Sequence, residues 1–131
     1  MAPELHGGSK KFKGKPADIW AAGIVLYEMV MLELPFDGST EQIMKRAKKL
    51  DCKPFPDYVD ERLQNLWDLM VKVGPDERFN ATELLRLDFM KEVLEKLCDD
   101  KIRVNCGFHI VQKFFLGLLV IEIYWSELEI S

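Results

Sequence analysis

Along the first hundred residues, apolar positions come in clusters separated by short polar, Pro or Gly breaks. The densest runs from Pro16 to Phe36, PADIWAAGIVLYEMVMLELPF. On a helix these residues leave almost no polar face, because only Asp18, Glu28 and Glu33 carry charge. A helix apolar nearly all round is expected to be buried. The run is too interrupted for an unaided membrane span, which takes about 20 apolar residues. The pattern therefore predicts a core helix from Pro16, whose ring suits a first helical turn, to about Leu34, where Pro35 stops it.

The following segments read as shorter amphipathic helices. Asp37-Gly38 marks a turn, and Ser39 with Gln42 has the form of a capping box before a helix over 40–50. That helix puts Ile43, Met44 and Ala47 on one side and lysines on the other. Lys53-Pro54-Phe55-Pro56-Asp57 reads as extended linker. Asp60 is placed to cap a helix carrying Leu63, Leu66, Trp67, Met70 and Val71, with Gly74-Pro75 as its stop. Asn80 with Glu83 offers another cap, before one helix running through Leu84, Leu85, Leu87, Phe89, Met90, Val93, Leu94 and Leu97. Residues 1–15, rich in Gly and Lys, read as loop. The expected fold is mainly α over 1–99, followed by an apolar tail over 100–131.

That tail changes character. FHIVQKFFLGLLVIEIYW is dense in β-branched and aromatic residues, and its periodicity does not separate a buried helix from a strand. Its longest uncharged run, Phe114 to Ile121, is far too short for a bilayer span.

Charge and cysteine content narrow the classes. A net charge of −4 argues against nucleic acid as the principal partner. Lysines cluster at Lys10, Lys11, Lys13 and Lys15 and again from Lys45 to Lys49. The simpler reading of both clusters is a solvated loop and a solvated helix face. The first residues, MAPELHGGS, lack the apolar core of a signal peptide. The three cysteines, Cys52, Cys98 and Cys106, suit free thiols in a reducing compartment, so a cytoplasmic location is expected. Cys98, Cys106 and His109 match no common zinc spacing, and no metal site is expected.

Several features fall in a telling order: Ala2-Pro3-Glu4, Asp18-Ile19-Trp20 with Gly23, LYEM at 26–29, Pro35-Phe36 and Pro75-Asp76-Glu77-Arg78. In this order they resemble the back half of a eukaryotic serine/threonine protein kinase domain. The likeness begins at the Ala-Pro-Glu motif that closes the activation segment and covers about residues 2 to 92. The resemblance implies the helical part of the C-terminal lobe. It implies that Glu4 forms a buried ion pair with Arg78. It implies that Asp18 accepts backbone hydrogen bonds from a catalytic loop. Trp20 and Gly23 belong to the same structural set. Val25 and Met29 fall where similar kinases place apolar residues beneath the adenine pocket, and Glu28 where some contact a substrate arginine. Each also has a purely structural reading: Asp18 as a helix-start charge, Val25 and Met29 as core, Glu28 as a solvated carboxylate.

Intact kinases use ATP and Mg²⁺, held by a Gly-rich loop, a strand lysine, a catalytic-loop Asp and Asn and an Asp-Phe-Gly ligand. None of these motifs is in this sequence. The glycines never fall at GxGxxG spacing, and neither His6 nor His109 is followed by Arg-Asp. Asp88-Phe89-Met90 falls inside a predicted helix, and Gly7-Gly8-Ser9-Lys10 lacks P-loop spacing. Asp99 and Asp100 are adjacent and cannot flank a cleft as a hydrolase pair does. No catalytic, cofactor or metal residue is therefore expected in this chain.

Three readings follow: a truncated, pseudokinase-like chain without activity of its own; a module that docks a kinase, substrate or regulator through the 40–50 helix, with Lys45 and Lys48, and the Lys-rich loop; and part of an active kinase whose front half is not in this sequence. In similar kinases the central helix is covered by earlier helices and the catalytic loop, which this sequence does not contain, and that is expected to orphan part of its apolar surface and the acceptors of Asp18. Either the tail from Val104 to Trp125 folds over that surface or it has no evolved partner.

Overall fold

The computed structural model describes residues 1–7 and 14–98. Among them the regular structure is entirely helical, and no helix is long and apolar enough to cross a membrane. The order is a 3-10 turn at Pro3–Gly7, α1 (Gly14–Met31), α2 (Thr40–Lys49), α3 (Glu61–Met70), a 3-10 turn at Pro75–Glu77, α4 (Ala81–Leu85) and α5 (Asp88–Cys98). The fold divides into two compact units, one ending at Phe79 and one starting at Asn80. The zinc candidates Cys106 and His109, the side chain of Cys98, the Lys10–Lys13 part of the basic loop and the tail beyond residue 98, including Val104 to Trp125, lie outside what the structure describes.

In the first unit α1 packs on α3 and on the Pro75–Glu77 turn, while α2 lies against the Pro3–Gly7 turn. The core comprises Ile19, Trp20, Leu26 and Tyr27 from α1 and Leu66, Trp67 and Met70 from α3. Tyr27, Phe55 and Trp67 form an aromatic cluster with centroids 5.3 to 5.7 Å apart. Tyr27 Oη also donates to Lys53 O at 2.8 Å, so the aromatic core and the Pro-rich connection are tied together. Trp67 Nε1 is buried and finds no partner among the described residues. The Gly23 position needs a glycine because α3 comes so close. A Cβ there would lie inside the contact distance of Val71 Cγ2 and 3.4 Å from Met70 Cβ.

α1 departs from its expected form in two ways. It is not buried all round: Ala21, Val25 and Glu28 recur at helical spacing on an exposed side, and Val25 is 44% exposed. Apolar surface of the helix is therefore uncovered at Val25. The helix also ends at Met31, three residues before the predicted stop. Leu32 turns into the left-handed region (φ 58°), its N–H still bonded to Glu28 O at 2.9 Å, before Pro35 can act.

α2 and α3 begin where their capping residues place them. Gln42 N–H donates to Ser39 Oγ at 3.3 Å, and Ser39 N–H donates to Gln42 Oε1 at 2.8 Å. Ser39→Ala is expected to cost about 1 kcal/mol of unfolding free energy, read as a lowered denaturant midpoint, since it takes the acceptor from the Gln42 N–H. Asp60 Oδ1 accepts from Arg62 N at 2.9 Å ahead of α3. Gly74-Pro75 does not stop α3, which ends at Met70; it opens the next 3-10 turn, with Pro75 at its start.

In the second unit the single expected helix is broken into α4 and α5. Asn80 and Glu83 form the predicted capping box. At Arg86 and Leu87 the N–H groups reach to i−3 carbonyls (Glu83 O and Leu84 O, each 3.2 Å), which tightens the chain and ends α4. Asp88 then stands in the first turn of α5, near its positive end.

Candidate functional site

Arg78 is the most heavily committed polar side chain described, with its side chain 0% exposed. It ends the Pro75–Glu77 turn, an extended position that sends the side chain back under the start of α1. Nη1 donates to Glu4 Oε1 at 2.7 Å and to Pro16 O at 2.8 Å. Nη2 donates to Glu4 Oε2 at 2.8 Å and to Val73 O at 3.4 Å, and Nε donates to Lys72 O at 2.8 Å. A guanidinium has five N–H donors in a fixed fork, and here every one is used. The cation also lies over the Trp20 ring, 5.0 Å from its centroid. Trp20 in turn stacks on Phe36 at 6.0 Å.

The clamp thus joins four separate pieces: the 3-10 turn at Glu4, the first turn of α1, the segment after α3, and the loop behind α1 through Trp20. Burial pushes the Glu4 carboxyl pKa up, but its hydrogen bonds to Arg78 and the backbone, with the Arg78 charge, outweigh that and leave it below its ordinary value. Fork-to-fork pairing of this kind is among the stronger charge-assisted contacts.

Of the residues singled out from sequence, Glu4, Trp20 and Arg78 come together here. Gly23 sits one turn further along α1, at the close contact with α3. Asp18 is half-buried and has an interaction partner, so the expectation of an orphaned carboxylate is not met. Glu28 and Val25 lie on the exposed stripe of α1, away from the clamp, and Met29 is half-buried. The core reading of Val25 is thereby corrected: no described element covers its side of α1.

A second polar constellation was not anticipated. Arg46, in the middle of the 40–50 helix, pairs with Asp37 ahead of α2 and donates Nε to Asp51 O behind it at 3.2 Å. It therefore pins both flanks of α2. Its only sequence signal was membership of a basic helix face, which looks the same whether or not an acid lies nearby. Lys53 Nζ likewise pairs with Glu33 at 3.0 Å.

Burial, reinforced by the Asp51 charge, pushes the Cys52 thiol up, away from the thiolate a nucleophile needs. Among the described residues no three His, Cys, Asp or Glu side chains converge as metal ligands.

The sequence matches the model of the protein kinase domain over residues 1–90. It is 40% identical over 93 residues to serine/threonine-protein kinase ppk34 of Schizosaccharomyces pombe, an alignment covering 70% of this chain and 26% of that protein. It is 34% identical over 89 residues to the probable serine/threonine-protein kinase nek1 of Dictyostelium discoideum, covering 66% of this chain and 18% of that protein. Mitosis inducer protein kinase cdr1 of Schizosaccharomyces pombe is 28% identical over 90 residues, 69% of this chain and 15% of that protein. The chain thus spans about a quarter or less of the length of these relatives.

Proposed function

Because the chain belongs to the protein kinase domain family, we propose that it is the helical scaffold from the back half of a serine/threonine kinase domain. In this reading it transfers no phosphoryl group on its own, works in the cytoplasm, and serves ATP-dependent phosphotransfer only as part of an intact domain. The observation that carries the reading is the buried Glu4–Arg78 pair, which locks the Ala-Pro-Glu turn to the helical core.

In the intact family ATP and Mg²⁺ supply the transferred group and neutralise its charge. The described residues do not fit that pair. Among the described residues no carboxylate cluster converges for a metal, and the cleft along α2 is lined by charged and polar side chains rather than by an apolar slot for a base. No step of phosphoryl transfer is therefore assigned to this chain's own side chains.

Two assays test the reading. The 131-residue chain, incubated with labelled ATP, Mg²⁺ and a generic protein substrate, should give no transfer above buffer; measurable transfer would overturn the claim of inactivity. Residues 1–90, exchanged for the matching segment of the fission-yeast relative ppk34, should yield an active chimera. A folded but inactive chimera would count against the scaffold reading.

A further inference from the structure

α2 carries Lys45, Arg46, Lys48 and Lys49 against one acidic residue, Glu41, in a chain of net charge −4. The three lysines are exposed and hold no ion pair among the described residues, whereas Arg46 is neutralised by Asp37 and Asp51. The charges are not spread evenly round the helix. Gln42, Lys45, Arg46 and Lys49 fall at i, i+3, i+4 and i+7 and form one wall of an open cleft of about 450 Å³. Asp37, Gly38 and Asp51 complete it. Lys48 points from the neighbouring face and does not line the cleft.

A helix C-terminus favours basic residues in its last turn. That accounts for cations near Lys49. It does not account for their alignment along a concave wall with Arg46 fixed between them. The spacing puts Lys45 and Lys49 one helical turn apart, so that two ammonium groups flank the Arg46–Asp37 pair.

We infer that this cleft is a docking site for an acidic segment of a protein partner, whose carboxylates pair with Lys45 and Lys49. Ammonium groups act as point charges that take single carboxylates without demanding a planar fork. The fixed carboxylates of Asp37 and Asp51 on the same rim select against a continuous polyphosphate, which would bring unbroken negative charge against them. A peptide can place its acids selectively, and opposite charge at such a rim sets partner choice and encounter rate. The inference does not rest on the scaffold reading, and its failure would leave the phosphotransfer assays untouched.

The test is fluorescence anisotropy on the full chain, with a labelled peptide rich in Asp and Glu and a matched peptide in which these are Asn and Gln. The acidic peptide should bind at least tenfold more tightly, and binding should weaken several-fold between low and physiological salt as surface charges are screened. Lys45→Gln with Lys49→Gln should weaken it at least fivefold, and K45E/K49E more, with melting unchanged by circular dichroism. Lys48→Glu should stay within twofold. Equal binding of the two peptides, or an equal loss in Lys48→Glu, would overturn the proposal. So would tighter binding of a single-stranded oligonucleotide or of phosphatidylserine vesicles.

Discussion

Arg78→Ala should remove about 3–5 kcal/mol of unfolding free energy, because it leaves the half-buried Glu4 carboxylate without its counter-charge and takes the donor from three backbone carbonyls. Against a typical domain stability of about 5–15 kcal/mol, that is a large share. In urea, with a slope of about 1–3 kcal/mol/M, the midpoint should fall by at least about 1 M. Glu4→Gln should also be strongly destabilising, since it leaves the fully buried Arg78 cation without its counter-charge and turns an amide N–H against one of its Nη donors. The two variants also differ in acid. The Glu4 pKa is lowered in the folded chain, so its contribution is fully present above the unfolded-state value and is lost as pH falls through the lower folded value. Glu4→Gln should flatten that part of the pH–stability curve. A Glu4→Gln curve with the same acid slope as the parent chain would show that other carboxylates account for it.

Replacing a buried ion pair by apolar residues is often neutral, but here it should not be. Arg78 also serves the carbonyls of Pro16, Lys72 and Val73, and each loses its partner with the guanidinium. An unsatisfied buried acceptor costs about 1–3 kcal/mol. A Glu4→Leu, Arg78→Met double variant should therefore remain well below the parent chain in a denaturant titration. Full recovery would mean that the backbone acceptors are rehydrated and that the clamp is only an ion pair.

Trp20→Ala is expected to lose about 3–5 kcal/mol, as large aromatic truncations in cores do. Trp20 is 1% exposed, stacks on Phe36 and forms the floor under Arg78. Trp20→Phe keeps much of the volume and separates the two effects. It should retain most of the packing while weakening the cation–π contact, which is worth about 2 kcal/mol or more when desolvated. Because Trp20 and Arg78 touch, the losses in Trp20→Ala and Arg78→Ala should not add. Strict additivity in a double-mutant cycle would refute energetic coupling between ring and guanidinium.

Polar side chains that act on their own local backbone were the most legible from sequence. Ser39, Asp60 and Asn80 each start the helix they were expected to start, because a cap is decided within three residues. The ends were less legible. Leu32 and Leu50 both adopt positive φ, and nothing about leucine announces this; it is imposed by the chain's next destination. The break between α4 and α5 carries no Gly or Pro and is likewise invisible to a pattern reading. The Glu4–Arg78 pair was legible only through resemblance, since no periodicity links positions that far apart. The exposed stripe of α1 was a matter of which neighbours exist, not of the helix's own residues. For the same reason a helix that reads as almost wholly apolar leaves Val25 exposed.

The clamp also has a consequence in time. Glu4 and Arg78 are 74 residues apart in the chain. At about 5–20 residues per second of synthesis, Glu4 is made roughly 4–15 s before its partner exists. Closing a loop of that length costs about 4 kcal/mol in chain entropy, so the contact rewards folding only after the intervening helices have shortened the path. On the ribosome, then, the Ala-Pro-Glu turn waits for seconds without its partner. The Trp20 face waits with it, and Arg78 is the residue whose arrival lets the first unit close.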